Sequence, residues 1–188
     1  LKIIEILVEE PSIKNVLNTL LPSLLTPDYK LDENCFVRVH SGKTDLLKSI
    51  PRKLKAYSKM PDEYKVLILV DKDFEDCKEL KQKIESSIPA DVVCDKVIRI
   101  VSRELEGWFV GDLVAVEKAY PSTKATKYKN KSTFRDPDEA HAVQELKKII
   151  PGFSKGEVSQ KISLHMNLES NRNKSFNQFI KGLEKLIS

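Results

Sequence analysis

The stretch Val66-Leu-Ile-Leu-Val-Asp-Lys-Asp-Phe-Glu-Asp76 decides the fold. Five apolar residues without a polar interruption, three of them valine or isoleucine, read as a strand buried on both faces, the pattern of a parallel sheet covered by helices. The strand stops at Asp71, Asp73 follows two residues on, and the charged, helix-forming run from Glu75 to Ser86 comes next. Both carboxylates therefore lie where a strand gives way to a helix, at the ligand end of an open α/β sheet. Carboxylates this close repel unless positive charge sits between them, and a hard divalent cation with oxygen ligands is the usual solution. The alternative is that Asp71 merely ends the strand while Asp73 or Asp76 caps the helix. The other strand ends decide between the two.

Upstream, Ile3 to Val8 reads as a first strand, followed by Glu9-Glu10-Pro11-Ser12 and a helical pattern through Leu17, Leu20, Leu21, Leu24 and Leu25. Pro11 suits a helix start. Glu9 occupies the same kind of strand-end position as Asp71, although an acid near a helix N-terminus is also favoured by the dipole alone. Pro22 is expected to interrupt this helix, and Thr26 to Asn34 reads as a loop. Cys35 to Val39 is a second short strand, leading through His40-Ser-Gly-Lys-Thr44 into a helix with Leu46, Leu47 and Ile50. Gly42 permits an unusual turn, or simply a tight one. Lys43 falls where a backbone nest, a helix dipole and a lysine together could hold a phosphate. The preceding glycine of a P-loop is missing, which excludes a nucleoside triphosphatase of that type. His40 reads as a packed or hydrogen-bonding strand-end residue in preference to a metal ligand.

Downstream, Leu80 and Ile84 mark one helical face, and Asp95 to Val101 supplies a fourth strand. Ser102-Arg-Glu-Leu-Glu-Gly-Trp-Phe109 places Glu104 and Glu106 after another strand end, with Arg103 able to pair with any of these acids. The helix is expected to continue through Phe109, Leu113 and Val116. Trp108 and Phe109 fit a buried helical face, and Asp112 reads as surface or outer support. Pro121 to Pro137 has no apolar period and reads as a long basic loop, a length usually functional or disordered. Helices are expected over Asp138 to Ile150, Lys155 to Leu168 and Lys174 to Ile187. The layout is an α/β domain over residues 1–120, with a mainly parallel four-stranded sheet flanked by helices. Residues 121–188 form a basic loop and a C-terminal helical extension packed on it.

The composition, 40% apolar and 32% charged over 188 residues, describes a globular chain with a substantial core. Cys35, Cys77 and Cys94 lack metal or redox spacing, which excludes a disulfide framework and a thiolate zinc site and fits a cytoplasmic setting. No stretch approaches membrane-span length. The start Leu1-Lys-Ile-Ile-Glu has no signal-peptide build and, without methionine, leaves the true N-terminus open. The net charge of +4 is unevenly placed: Lys118, Lys124, Lys127, Lys129, Lys131 and Arg135 give +6 with no acid among them, leaving −2 for the remainder. Lys48 to Lys59 is a second acid-free run. Such runs are ordinarily solvated surface, and they are also what a polyanion-binding rim around an acidic metal site needs.

Strands joined by helices imply parallel strands with right-handed crossovers, so their carboxyl ends share one edge. Glu9, the pair Asp71 and Asp73, and Glu104 or Glu106 would converge there from three strand ends. One or two Mg2+ or Mn2+ ions would neutralise them and activate water for phosphodiester cleavage.

At these residues the chain resembles the Toprim domains of topoisomerases, primases and OLD-family nucleases: an apolar strand ending in Glu, a second ending in a glycine turn, and a third ending in Asp-x-Asp. More closely, Val-Glu-Glu-Pro-Ser, His-x-Gly-Lys-x-Asp-Leu, Leu-Val-Asp-x-Asp, Arg-Glu-Leu-Glu-x-Trp and the late Asn-Arg-Asn-Lys-Ser-Phe are similar to a bacterial Toprim-like family often encoded beside ABC- or AAA-type ATPases, in arrangements suggestive of phage defence. The resemblance implies that Glu9 is the strand-end general base or ligand and that Asp71 and Asp73 are the metal pair. Glu106 is the preferred fourth acid. Glu10 departs from the pattern, standing where many Toprim domains have glycine, and its charge is either a further ligand or a crowding one. No tyrosine is placed as a topoisomerase nucleophile.

The expected function is thus a Mg- or Mn-dependent nuclease acting on DNA or RNA with a partner ATPase. Glu9, Asp71, Asp73 and Lys43 would be catalytic; Glu9, Glu10, Asp71, Asp73, Glu104 and Glu106 would hold metal; Lys124, Lys127, Lys129, Lys131 and Arg135 would bind the nucleic-acid backbone. Two other readings use the same acids. One is a non-catalytic Toprim-like regulatory or binding subunit of an ATPase complex, and the other a phosphohydrolase or nucleotidyl transferase on small phosphates, which would not need the basic loop. Oligomerisation is left open.

Overall fold

The computed structural model describes residues 1–188. Four parallel strands, β1 (Lys2–Val8), β2 (Cys35–Val39), β3 (Glu63–Asp71) and β4 (Asp95–Val101), form one sheet in the order β2-β1-β3-β4. The crossovers run through α1 (Pro11–Leu24), α2 (Lys43–Tyr57) and α3 (Cys77–Ser87). Alternation along the strands sends Ile4, Ile6, Leu67, Leu69 and Val97 into a larger core, and Leu7, Val66, Ile68, Val70 and Ile98 into a smaller one beneath Leu46, Ile50 and Leu54 of α2 and Leu80 and Ile84 of α3. Burial on both faces is the reason the β3 sequence is apolar without alternation. The chain leaves β1 toward β2 on one side and β3 toward β4 on the other. A crevice therefore opens between the carboxyl ends of β1 and β3, the switch point at which open α/β sheets bind ligands.

No strand follows residue 101. The remaining helices are α4 (Gly107–Gly111), α5 (Leu113–Ala119), α6 (Ser132–Arg135), α7 (Ala142–Ile149), α8 (Lys155–Ser163) and α9 (Lys174–Ile187). Val158, Ile162, Phe176, Phe179 and Leu183 join Ile4, Ile6 and Leu67 in one core, so the C-terminal helices complete the covering of the sheet. No helix is long and apolar enough to cross a membrane.

Several expectations need correction. The helices expected over Asp138 to Ile150 and Lys155 to Leu168 are shorter, Ala142–Ile149 and Lys155–Ser163. Pro22 does not end α1, which runs on to Leu24: the proline falls in the last turn, where few further backbone bonds depend on it. The helix expected through Phe109 and Val116 breaks at Asp112, whose backbone leaves the helical region (φ −130°, ψ 70°) while its Oδ1 accepts the Ala115 amide at 3.0 Å and caps α5. Pro121 to Pro137 is not an extended loop. It winds through two 3-10 turns, Pro121–Thr123 and Ala125–Tyr128, and then α6, pinned by buried Ala125 and Phe134 and by Glu117 Oε2, which accepts from the Thr126 amide and hydroxyl. Two anchors nine positions apart make no detectable apolar period.

The late Asn171-Arg-Asn173 segment explains the break at Asp112. Asn171 Nδ2 donates to the Trp108 carbonyl, Arg172 Nη2 to those of Val110 and Phe134, and Asn173 Nδ2 to that of Pro137, while Asn173 Oδ1 caps α9 by accepting the Phe176 amide. This latch lies so close to α4 that a Cβ on Gly111 would stand 2.0 Å from Asn171 Oδ1. Trp108 and Phe109 are fully in the core as expected, with the indole Nε1 donating to Ser175 Oγ at 3.0 Å.

Candidate metal centre at the β1–β3 crevice

Glu9 ends β1 and Asp71 ends β3, and the two meet across the crevice: Glu9 Oε1 accepts the Asp71 backbone amide at 2.8 Å. Both are buried, with only 7% and 5% of their surface exposed. Burial is the largest cause raising the Glu9 carboxyl to about 7; the Asp71 amide and Lys43 oppose it, while Asp73 and Glu10 add to it. Burial and then the charges of Glu9, Glu106 and Glu10 push Asp71 well above the usual carboxylate range. Asp71 Oδ1 is buried and has no hydrogen-bond partner.

The other buried acids are answered differently. Glu5 receives a bidentate pair from Arg38, with Nε at 2.7 Å and Nη2 at 2.9 Å. Asp138 accepts from Ser102 Oγ and from the amides of Lys174 and Ser175, and Glu145 pairs with Lys148. A buried acceptor left without a partner costs about 1–3 kcal/mol, more when charged, and Asp71 alone among these acids carries that cost at a switch point.

Asp73 follows in a left-handed conformation (φ 53°), its amide donating to the Arg103 carbonyl at 3.0 Å. It does not cap α3. Asp76 does, through Oδ1 to the amides of Lys78 and Glu79, which leaves the Asp73 carboxylate at the crevice. Gly42 adopts φ +86° and turns the chain into α2, whose first residue Lys43 reaches back over the β3 end to Asp73 Oδ2 at 3.1 Å and Glu75 Oε1 at 2.6 Å. Glu106, only 2% exposed, is raised by burial, against which Lys155 acts. His40 is engaged at both ring nitrogens, Nδ1 with the Val8 carbonyl and Nε2 with Ser49 Oγ, in keeping with a packed role.

Lys155, at the start of α8, carries no signal in the sequence. Its Nζ stands 3.2 Å from Glu10 Oε1 and 3.6 Å from Glu106 Oε1. Burial works against this ammonium, but Glu106 and Glu10 outweigh it and leave its pKa raised. The pairing joins Lys155 to Glu10 across 145 positions of chain, and nothing in the local pattern announces it.

The other expected residues are placed apart from this cluster. Glu104 Oε1 accepts the Val143 amide at 2.8 Å and so steadies the start of α7. Asp112 is buried rather than at the surface, with Oδ2 accepting the Asn167 amide, and Arg103 pairs with Glu139. Lys124, Lys127, Lys129, Lys131 and Arg135 are all exposed and none pairs with a crevice acid. Lys129 instead borders a cavity of about 450 Å³ with Lys118, Arg172 and Asp112.

A hard divalent cation would suit the donor chemistry of Glu9, Asp71, Asp73, Glu10 and Glu106, and the unpartnered Asp71 oxygen fits one, as it would fit a proton. As placed, no three of the acidic, histidine or cysteine side chains form a group that could hold an ion. Lys43 draws Asp73 to one side and Lys155 draws Glu10 and Glu106 to the other, so part of the positive charge the acids require is already supplied by ammonium groups.

The chain belongs to the family described as Domain of unknown function (DUF4276), which matches residues 8–184. No curated protein and no solved structure matches it.

Proposed function

We propose that this family member is a Mg2+- or Mn2+-dependent nuclease of the Toprim kind, hydrolysing phosphodiesters of DNA or RNA together with an ABC- or AAA-type ATPase, in phage defence. The buried, unpartnered Asp71 oxygen at the switch point carries the reading. Glu9, Asp71 and Asp73, with Glu10 and Glu106, would hold one or two ions, which when bound activate water and stabilise the leaving oxygen. Glu9, held at the β1 end beside Asp71, is placed to orient the attacking water or take its proton. The Asp71 amide holds Glu9 in one orientation, and Lys43 presents an ammonium where a phosphate oxygen would replace Asp73 as its partner. The exposed lysines of residues 124–135 would hold the flanking backbone through charge alone.

A second reading, a non-catalytic subunit of an ATPase complex, is favoured by two observations: Lys155 already neutralises Glu10 and Glu106, and no three acids are assembled in advance. A plasmid-nicking assay with Mn2+, on the chain alone and with its partner ATPase, separates the two. Nicking that is lost in Asp71→Ala and Glu9→Ala is the expected result, and activity of the assembled complex that survives Asp71→Ala would favour the binding subunit.

A further inference from the structure

Phe74 is the most exposed large apolar side chain of the protein, with 87% of its surface open, and it stands next to Asp73. A lone exposed apolar residue is ordinary. This one is held out by its backbone: Asp73 and Arg103 both adopt left-handed conformations (φ 53° and 55°), and the Asp73 amide is tied to the Arg103 carbonyl at 3.0 Å. Left-handed non-glycine residues are uncommon, aspartate less so than others, and Asp32 and Lys124 share the conformation elsewhere in the chain; here two of them meet at one strand end. Beside the ring opens a recess of about 360 Å³ that shares Asp73 with the acid crevice and is walled by Arg103, Glu104, His141, Val143, Gln144 and Lys147. The Arg103 guanidinium lies 6.0 Å from the Phe74 ring centroid.

We infer that this recess receives an unpaired nucleobase of the strand being cut, stacked on Phe74, so that the substrate is single-stranded or locally unpaired nucleic acid. The inference rests on the nuclease reading. The recess has a volume within the range of small-ligand sites, and an aromatic face beside cationic groups is how single strands are held without regard to sequence. His141 and Gln144 offer hydrogen-bonding groups to a base edge, while Lys147, and Arg103 once it exchanges Glu139 for a phosphate, offer charge to the adjoining backbone. In an intact duplex both faces of each base are already stacked, so Phe74 gains nothing from it.

The test uses the full chain and single-stranded DNA and RNA oligonucleotides carrying 2-aminopurine at successive positions, in buffer without divalent ions so that no cleavage occurs. Binding should quench the fluorophore at whichever position carries it, because the site does not read sequence. Phe74→Ala should remove the quench and weaken binding roughly tenfold, Phe74→Trp should restore both, and the matching duplex should show neither dependence. A parent chain that quenches the probe yet nicks nothing, alone or with its partner ATPase, would refute the chemistry and leave the base site standing. Binding and quenching indifferent to Phe74→Ala, or equal dependence in duplex, would overturn the inference. So would a Phe74→Ala variant that loses only its ATPase partner, since the ring would then be a protein contact.

Discussion

Glu9 Oε1 accepts the backbone amide of Asp71 at 2.8 Å, so one buried carboxylate joins the ends of the two central strands. The bond fixes Glu9 in place, yet burial still outweighs it and raises the carboxyl from 4.5 to about 7.

Stability should therefore depend on pH in a definite sense. Between pH 4.5 and about 7 the folded chain holds a proton on Glu9 that the unfolded chain has lost, so the contribution is complete below 4.5 and disappears as pH rises through 7. The loss is on the order of 3 kcal/mol, and Asp71, shifted the same way, adds to it. Melting curves in chelator at pH 5 and pH 8 should show the drop. Glu9→Gln should flatten it, and a slope unaltered by that change would assign the effect elsewhere.

Lys155 should act as a built-in counter-ion. Its removal leaves Glu106 buried without a partner, so Lys155→Ala should lower stability in divalent-free buffer by about 2 kcal/mol, moderated by the partial exposure of the lysine. Mn2+ should then stabilise the variant more than it does the parent, because Glu10 and Glu106 are released to the ion. Thermal melts with and without Mn2+ measure both effects, and an equal Mn2+ response would separate Lys155 from metal binding.

The sheet was legible because burial on both faces writes itself into β3 as an unbroken apolar run, and each strand end is followed at once by a helix signal. The placement of Glu9, Asp71 and Asp73 was legible for the same reason, since strand ends of a parallel sheet share one edge, whereas Glu104 turns to the Val143 amide instead. Lys155 was not, because its pairing with Glu10 and Glu106 depends on how α8 packs across α1, which no local pattern encodes. Residues 121–137 misled because charge dominates their composition, while two buried anchors, Ala125 and Phe134, do the folding. Asp112 reads in the sequence as surface or outer support, but it is buried and both its oxygens are taken by backbone amides.

Close packing of the Asn171–Asn173 latch makes Gly111 indispensable. Gly111→Ala should destabilise by about 3 kcal/mol or more, since its Cβ would stand 2.0 Å from Asn171 Oδ1 and 2.8 Å from the Asn173 amide nitrogen. Gly156→Ala, with nothing near its Cβ, should be tolerated. Denaturant melts of the two variants compare them directly, and equal stability would mean that the latch yields at little cost.

Neutralising Lys127, Lys129 and Lys131 together should weaken nucleic-acid binding across sequences. The slope of log affinity against log salt should shrink by about 0.7–0.9 for each phosphate that the lysines no longer neutralise. Titrations at several salt concentrations give that slope, and an unchanged one would make the segment ordinary solvated surface.

The central claim, that the unpartnered Asp71 carboxylate belongs to a divalent-cation site, is tested most directly by titrating Mn2+ into the protein and following the free ion by electron paramagnetic resonance. The account predicts one or two bound ions per chain, with binding lost in Asp71→Asn. Equal stoichiometry and affinity in the parent and in Asp71→Asn would contradict it.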